Sequence, residues 1–129
     1  QAEFDYQVLE TLSCHSVTMP CVCSHVCFLA FEVVCKALKG ALLVKCGLSS
    51  QHQKQRNVLW FAEALEANVP VLVQRLKTSA VIVKGYEECT RFPSHCKGNI
   101  APGSYFDVQC ASEAKAAAAA VLTAVKEIL

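Results

Sequence analysis

The segment CFLAFEVVCKALKGALL, residues 27–43, decides the fold, because it carries apolar side chains on every turn. A helix that is apolar nearly all round is typical of the centre of a protein core. We predict that this helix covers residues 20–45, since Pro20 suits a first helical turn. Lys45 favours the last turn, where a cation complements the helix dipole, and Gly47 follows as the stop signal.

A membrane-spanning segment is the alternative interpretation of the same region. The apolar run of residues 16–35 is long enough to cross a bilayer, and Glu32 is its one formal charge. Hydroxyl side chains, a proline and a histidine interrupt the run, however, so we predict a core helix and no membrane contact.

Four further helices are predicted from apolar residues at helical spacing and from the breaks between them. We expect the first to bury Phe4, Val8, Leu9 and Leu12, and Ser49-Ser50 to cap the third. The short connections favour antiparallel neighbours, so the predicted fold is all-α, a five-helix up-and-down antiparallel bundle. The four helices cover residues 2–15, 51–67, 70–89 and 109–129, with one long loop at 92–107.

Composition limits the class of protein. The 129 residues suit a single domain, and 53% apolar residues exclude a disordered chain. A net charge of +1 argues against general nucleic-acid binding. The nine cysteines are an odd number and lie mostly in apolar helical runs, which favours reduced thiols and a cytoplasmic location. The chain lacks an initial Met, so we expect it to be part of a longer protein.

The charges are segregated along the chain. Residues 1–32 contain four acids and no Lys or Arg, whereas residues 33–62 contain five bases and no acid. If the second and third helices were antiparallel, the bases near residue 55 would approach the end that carries Lys45, forming a site for a compact anion such as a phosphate chain. A solvated helix face is the alternative. The candidate anion-binding residues are Lys36, Lys39, Lys45, Lys54 and Arg56. Trp60 either flanks a bound base or belongs to the core.

A cluster of cysteines with one histidine suggests zinc, but its spacing does not fit. Only Cys23 and Cys27 share a helix face, while Cys21 and His25 point elsewhere. We therefore predict buried inert thiols and no metal or cofactor.

The sequence does not favour cysteine catalysis either. Cys89 and Cys96 lie near His95, but nothing local marks an activated thiolate. We predict that the chain is not an enzyme.

A set of ordered motifs resembles HEPN domains. Residues 27–43 resemble the second helix of that family, which ends in a glycine, and a histidine often precedes its third helix. A later Arg-Tyr-Pro loop and a final alanine-rich helix complete the resemblance. The motifs here are residues 27–43 with Gly47, His52, Arg91-Phe92-Pro93, Pro102, Tyr105 and the helix from Ala111.

The resemblance implies a binding module. HEPN domains commonly pair through their second and third helices, and many bind nucleotides or serve as scaffolds beside other modules. The likeness is greatest to the HEPN domain that ends a very large chaperone-related protein with a J domain upstream. It implies a homodimer that binds ATP or GTP through a basic groove and supports heat-shock chaperone machinery through the parent protein.

Two other functions remain open. The basic surface could be merely solvated, in which case the domain is a dimerisation scaffold without ligand. Some HEPN domains are ribonucleases, marked by an Arg, four to six residues and a His. Here Arg56 and Arg75 lack that His, and Arg91 reaches His95 with three residues between them.

Asn99 is predicted to be structural. It lies in the long loop between two helices that must pack together, where its amide can hydrogen-bond otherwise unsatisfied loop backbone.

Overall fold

The computed structural model describes residues 1–15, 22–47, 54, 56–69, 75–86 and 106–129. These residues form five helices and contain no strand, in agreement with the predicted all-α class. The helices are α1 (Ala2–His15), α2 (Cys23–Cys46), α3 (Val58–Asn68), α4 (Arg75–Val83) and α5 (Val108–Ile128).

α2 is the central helix and contacts all four others. Its apolar sequence explains this position, because side chains on most of its circumference need burial. Val33, Leu38 and Ala41 are completely buried, and the surrounding core draws residues from every helix. Within the described ranges, no helix combines the length and hydrophobicity that a bilayer crossing requires.

α5 packs closely on α2 through small side chains. Its buried face includes Ala111, Ala114 and Ala118, as the alanine-rich sequence predicts. Asp107 caps the helix, and its Oδ1 accepts a hydrogen bond from the Cys110 N–H at 2.8 Å. A strong cap and high intrinsic propensity therefore fix this helix against the core.

The start of α3 differs from the prediction. The helix begins at Val58, seven residues after the predicted residue 51, and Lys54 lies in a turn. Asn57 is extended, and its side chain accepts a hydrogen bond from the Trp60 N–H at 3.1 Å. Asn57 therefore caps this helix, since an asparagine in this conformation satisfies a free N–H of the first turn. The Ser49-Ser50 pair that was predicted to cap it lies outside the described residues.

α4 also ends earlier than predicted. It stops at Val83, and Gly85 follows with a φ of 83°. This left-handed conformation suits glycine and ends a helix, whereas the apolar pattern alone extended it to residue 89. Leu76 and Ala80 form part of the buried face of α4, and residues 81–83 before the turn are helical.

The buried face of α1 was wrongly predicted. Leu9 is fully buried, but Phe4 is 62% and Val8 is 37% exposed. Asp5 is buried instead, because it meets the ammonium group of Lys36 on α2. A charge pair across two helices has thus rotated α1 away from the face that its apolar residues suggest.

The strict up-and-down order is also wrong at one place. Arg56 lies beside Glu32, and Phe61 lies under Lys39, so α3 advances along α2 in the same direction. α4 and α5 do run antiparallel, since Arg75 at the start of α4 lies 3.8 Å from Glu127 near the end of α5. α1 starts beside the C-terminal halves of α2 and α5 and runs opposite to both.

Candidate functional site

Three of the five predicted anion-binding residues converge on one surface, which we call the cation surface: Lys36, Lys39 and Arg56. The two lysines are three residues apart on α2 and share a face. Arg56 directly precedes the Asn57 cap of α3, which directs the chain to the middle of α2.

Lys36 is held by two carboxylates. Its Nζ lies 2.6 Å from Oδ2 of Asp5 and 3.8 Å from Oε2 of Glu32, one turn earlier on α2. Its side chain remains 39% exposed, whereas that of Asp5 is 12% exposed. Lys36 therefore joins α1 to α2 and still presents part of its ammonium group to solvent.

Arg56 also pairs with Glu32. Its guanidinium forms a hydrogen-bonded ion pair with Oε1 of that carboxylate and lies over the Phe31 ring, 5.3 Å from the centroid. A guanidinium over an aromatic face gains cation–π attraction. Glu32 thus bridges two members of the cation surface, Lys36 on α2 and Arg56 just before α3.

Lys39 extends over an aromatic ring of α3. Its Nζ lies 5.4 Å from the centroid of Phe61, which is completely buried and in edge-to-face contact with Trp60. The ammonium group thereby covers the α2–α3 contact. Trp60 is half-buried and packs against the core, which fits the core alternative for this residue.

The electrostatics of this surface favour charged carboxylates. Partial burial acts to raise the pKa of Asp5, but hydrogen bonds from Lys36 and Gln1 outweigh it and hold the pKa below its usual value. Asp5 is therefore an anion at neutral pH. Three cations and two carboxylates leave a single excess positive charge.

Lys45 does not join this group in the way predicted. Lys45 is exposed nine residues after Lys36, which places it on the opposite side of α2. Arg56 meets α2 at Glu32, thirteen residues or about 20 Å from Lys45 along the helix. The predicted approach of Arg56 to the Lys45 end is therefore wrong, because α3 does not run antiparallel to α2. Lys54 is exposed in a turn.

A groove of about 380 Å³ begins at Lys36. It lies between the start of α1, the second half of α2 and the end of α5. Gly40 leaves space within it, since a Cβ built there would meet no atom within 4 Å. The groove has an apolar floor that includes Ala37, Gly40, Leu122 and Val125, and a charged rim that includes Lys36, Lys126 and Glu3.

Two of the cysteines weighed as zinc ligands are placed for packing. Cys23 and Cys27 are buried while His25 is exposed, so these side chains do not converge. Burial raises the pKa of the Cys27 thiol well above its usual range. Among the residues that the structure describes, no three His, Cys, Asp or Glu side chains are grouped to hold a metal ion.

Several predicted residues lie outside the described ranges. They include the structural candidate of the long loop and the thiol and imidazole groups weighed for catalysis. These residues are Asn99, Cys21, His52, Cys89, Arg91, His95 and Cys96.

Two features of the site were missed by the sequence analysis. Asp5 was assigned to no partner, although it is the residue that holds Lys36 from across the fold. The groove was also missed, although Gly40 in the middle of a helix is a signal for open space or close approach. The position of Glu32, four residues before Lys36, does indicate in the sequence that a carboxylate could pair with this lysine.

Comparisons with known proteins concern the whole chain. No protein-family model, curated protein or solved structure matches it. The HEPN resemblance therefore stays a prediction that rests on the sequence motifs.

Proposed function

We propose that the chain is a non-catalytic, HEPN-like helical module that homodimerises and binds the phosphate chain of a nucleotide at the cation surface. In this proposal it serves a larger, cytoplasmic, chaperone-related protein. The convergence of Lys36, Lys39 and Arg56 on neighbouring helices carries the proposal. Ammonium and guanidinium groups are the usual partners of phosphate oxygens.

The ligand has to compete with internal carboxylates. Asp5 and Glu32 already contact Lys36 and Arg56, so a singly charged anion gains little by replacing them. A nucleoside triphosphate carries several negative charges on adjacent groups and can contact all three cations at once. A homodimer that faced two such surfaces towards one axis would double the cations available.

Calorimetric titration of ATP and GTP into the purified chain tests this function, with the mass in solution measured in parallel. Lys39→Ala and Arg56→Ala should each weaken binding several-fold. Lys45→Ala is the matched control, because it removes the same charge from the opposite side of α2. Equal weakening by all three variants would refute the cation surface and leave only a net-charge effect.

Glu32→Gln provides a test of opposite sign. The change removes one of the two competing carboxylates while keeping an oxygen that can accept hydrogen bonds from Arg56. The excess charge of the surface rises from one to two, so nucleotide affinity should increase. A decrease in affinity with an unchanged melting temperature would contradict the proposed role of the three cations.

A dimerisation scaffold without ligand is the second candidate. The observation that favours it is the pairing of Lys36 and Arg56 with internal carboxylates, which satisfies both cations without any anion. A dimeric mass with no heat from either nucleotide would support the scaffold. A monomer that binds neither nucleotide would refute both candidates.

A further inference from the structure

Both lysines at the rim of the groove are paired with carboxylates of one helix. Lys36 on α2 lies 2.6 Å from Asp5, and Lys126 on α5 lies 2.7 Å from Glu3. Asp5 and Glu3 both belong to the first turns of α1. α1 thus supplies the counter-charges for two different helices that border the same groove.

Apolar packing holds α1 only weakly. All of its residues are described, and Leu9 is its one fully buried apolar side chain. Phe4 and Val8 point to solvent, while Ala2, Tyr6 and Leu12 are partly buried against the core. The partly buried ion pair of Asp5 and Lys36 therefore forms a large part of what docks the start of α1, and the exposed pair of Glu3 and Lys126 adds little.

We propose that α1 is a tethered competitor of the anionic ligand, with the Asp5 and Glu3 carboxylates occupying Lys36 and Lys126 where phosphate groups would bind. This inference rests on the proposed function, because Lys36 belongs both to the cation surface and to the groove rim. A polyphosphate that takes these lysines releases the start of α1 from the bundle. Binding of the anion is thereby linked to the docking of a helix.

The linkage is reciprocal. If docking of α1 lowers the affinity for the anion by some factor, binding of the anion lowers the equilibrium constant for docking of α1 by the same factor. The pair at Lys36 is partly buried and the pair at Lys126 is exposed, so most of the coupling comes from Asp5. We expect a factor of about five, at the low end of typical coupling.

Inorganic tripolyphosphate is the probe, because it carries the charge of a nucleotide without its base. Hydrogen exchange of the backbone amides is measured with and without saturating probe, with α3 as the internal reference. Amides in the first half of α1 should exchange several-fold faster when the probe is bound. Unchanged or slower exchange of α1 in the saturated complex would overturn the competitor role.

Variants separate the competitor from the net charge. Asp5→Asn should bind the probe about fivefold more tightly and Glu3→Gln about twofold, on the coupling scale expected above. Glu10→Gln is the matched control: it removes the same charge from α1, but Glu10 lies beside Tyr6, and no lysine of the described residues forms an ion pair with it. Equal gains in all three variants would overturn the inference.

The two proposals fail in distinguishable ways. If no variant binds tripolyphosphate or nucleotide, the proposed function is wrong and the competitor role falls with it. If the probe binds and Lys39→Ala weakens it, while Asp5→Asn binds no tighter and α1 exchange is unchanged, only the competitor role is wrong. Lys36→Ala and Lys126→Ala should both lose affinity if the groove rim holds the anion.

Discussion

Replacing Lys36 by methionine tests how much the link between α1 and α2 contributes to stability. Two unit charges 2.6 Å apart attract by roughly 6 kcal/mol at an effective dielectric constant of 20 and by roughly 1.6 kcal/mol in bulk water. The Lys36 side chain is 39% exposed, so screening, desolvation and lost side-chain freedom reduce the net coupling to about 1–2 kcal/mol.

The two single variants should not cost the same. Lys36→Met leaves the Asp5 carboxylate buried, with the Gln1 amide 2.8 Å away as a remaining donor. We expect it to lower the free energy of unfolding by about 2 kcal/mol. Asp5→Asn leaves a lysine that can turn to solvent, so its cost should be about 1 kcal/mol.

Acidity should diminish this difference. The folded-state pKa of Asp5 lies below its unfolded value, so its contribution is present above that unfolded value and is lost as the pH falls through the folded one. The cost of Lys36→Met should therefore be greatest above about pH 4 and should shrink below it. This window follows from the depressed carboxylate and not from titration of the lysine.

Urea denaturation followed by circular dichroism measures all four states of the double-mutant cycle. The pair of Glu3 and Lys126 is the matched comparison, because it has nearly the same contact distance but both side chains are mostly exposed. Its coupling should not exceed experimental error. The reasoning fails if Lys36→Met costs no more than Asp5→Asn, or if the exposed pair couples as strongly as the partly buried one.

Three further predictions concern backbone, cap and thiols. Gly40→Ala should raise the free energy of unfolding by about 0.5–1 kcal/mol, because Gly40 lies inside α2 with open space around it. Gly47→Ala should lower the free energy of unfolding, because Gly47 has a φ of 68° that suits glycine. Thermal unfolding of the two variants compares these effects. The backbone N–H bond to the α5 cap lowers the pKa of Asp107, so Asp107→Asn should flatten the loss of stability on acidification below about pH 4. Burial raises the pKa of Cys27, so in the folded protein a thiol reagent should label exposed Cys14 before buried Cys27, as mass spectrometry can check.

The helices could be predicted from the sequence, but some of their ends and faces could not. Apolar periodicity shows where a helix must bury side chains, so α2 and α5 agree closely with their predictions. The start of α3 depends on one hydrogen bond that the Asn57 side chain accepts from the Trp60 N–H, and the end of α4 depends on one positive φ at Gly85. Periodicity carries no information about either local event.

The candidate site was predictable only where it depends on one helix. The spacing of Lys36 and Lys39 places them on one face regardless of the rest of the fold. The position of Arg56 depends on the direction of α3, which short connections wrongly suggested to be antiparallel. Asp5 meets its partner across 31 positions of sequence, and a pattern method that places acids in solvent has no means of finding such a pair.

Charges that are segregated along the sequence are paired in the folded chain. Acids near the start and bases in the middle are far apart along the chain, but the fold brings Asp5 onto Lys36, and Glu32 joins Lys36 to Arg56. The groups that stabilise the docking of α1 are then the same groups that an anion needs. Asp5→Asn should consequently lower stability and raise anion affinity together, whereas a merely solvated lysine face would show neither effect. A change in one property without the other would separate the structural role of this ion pair from any role in binding.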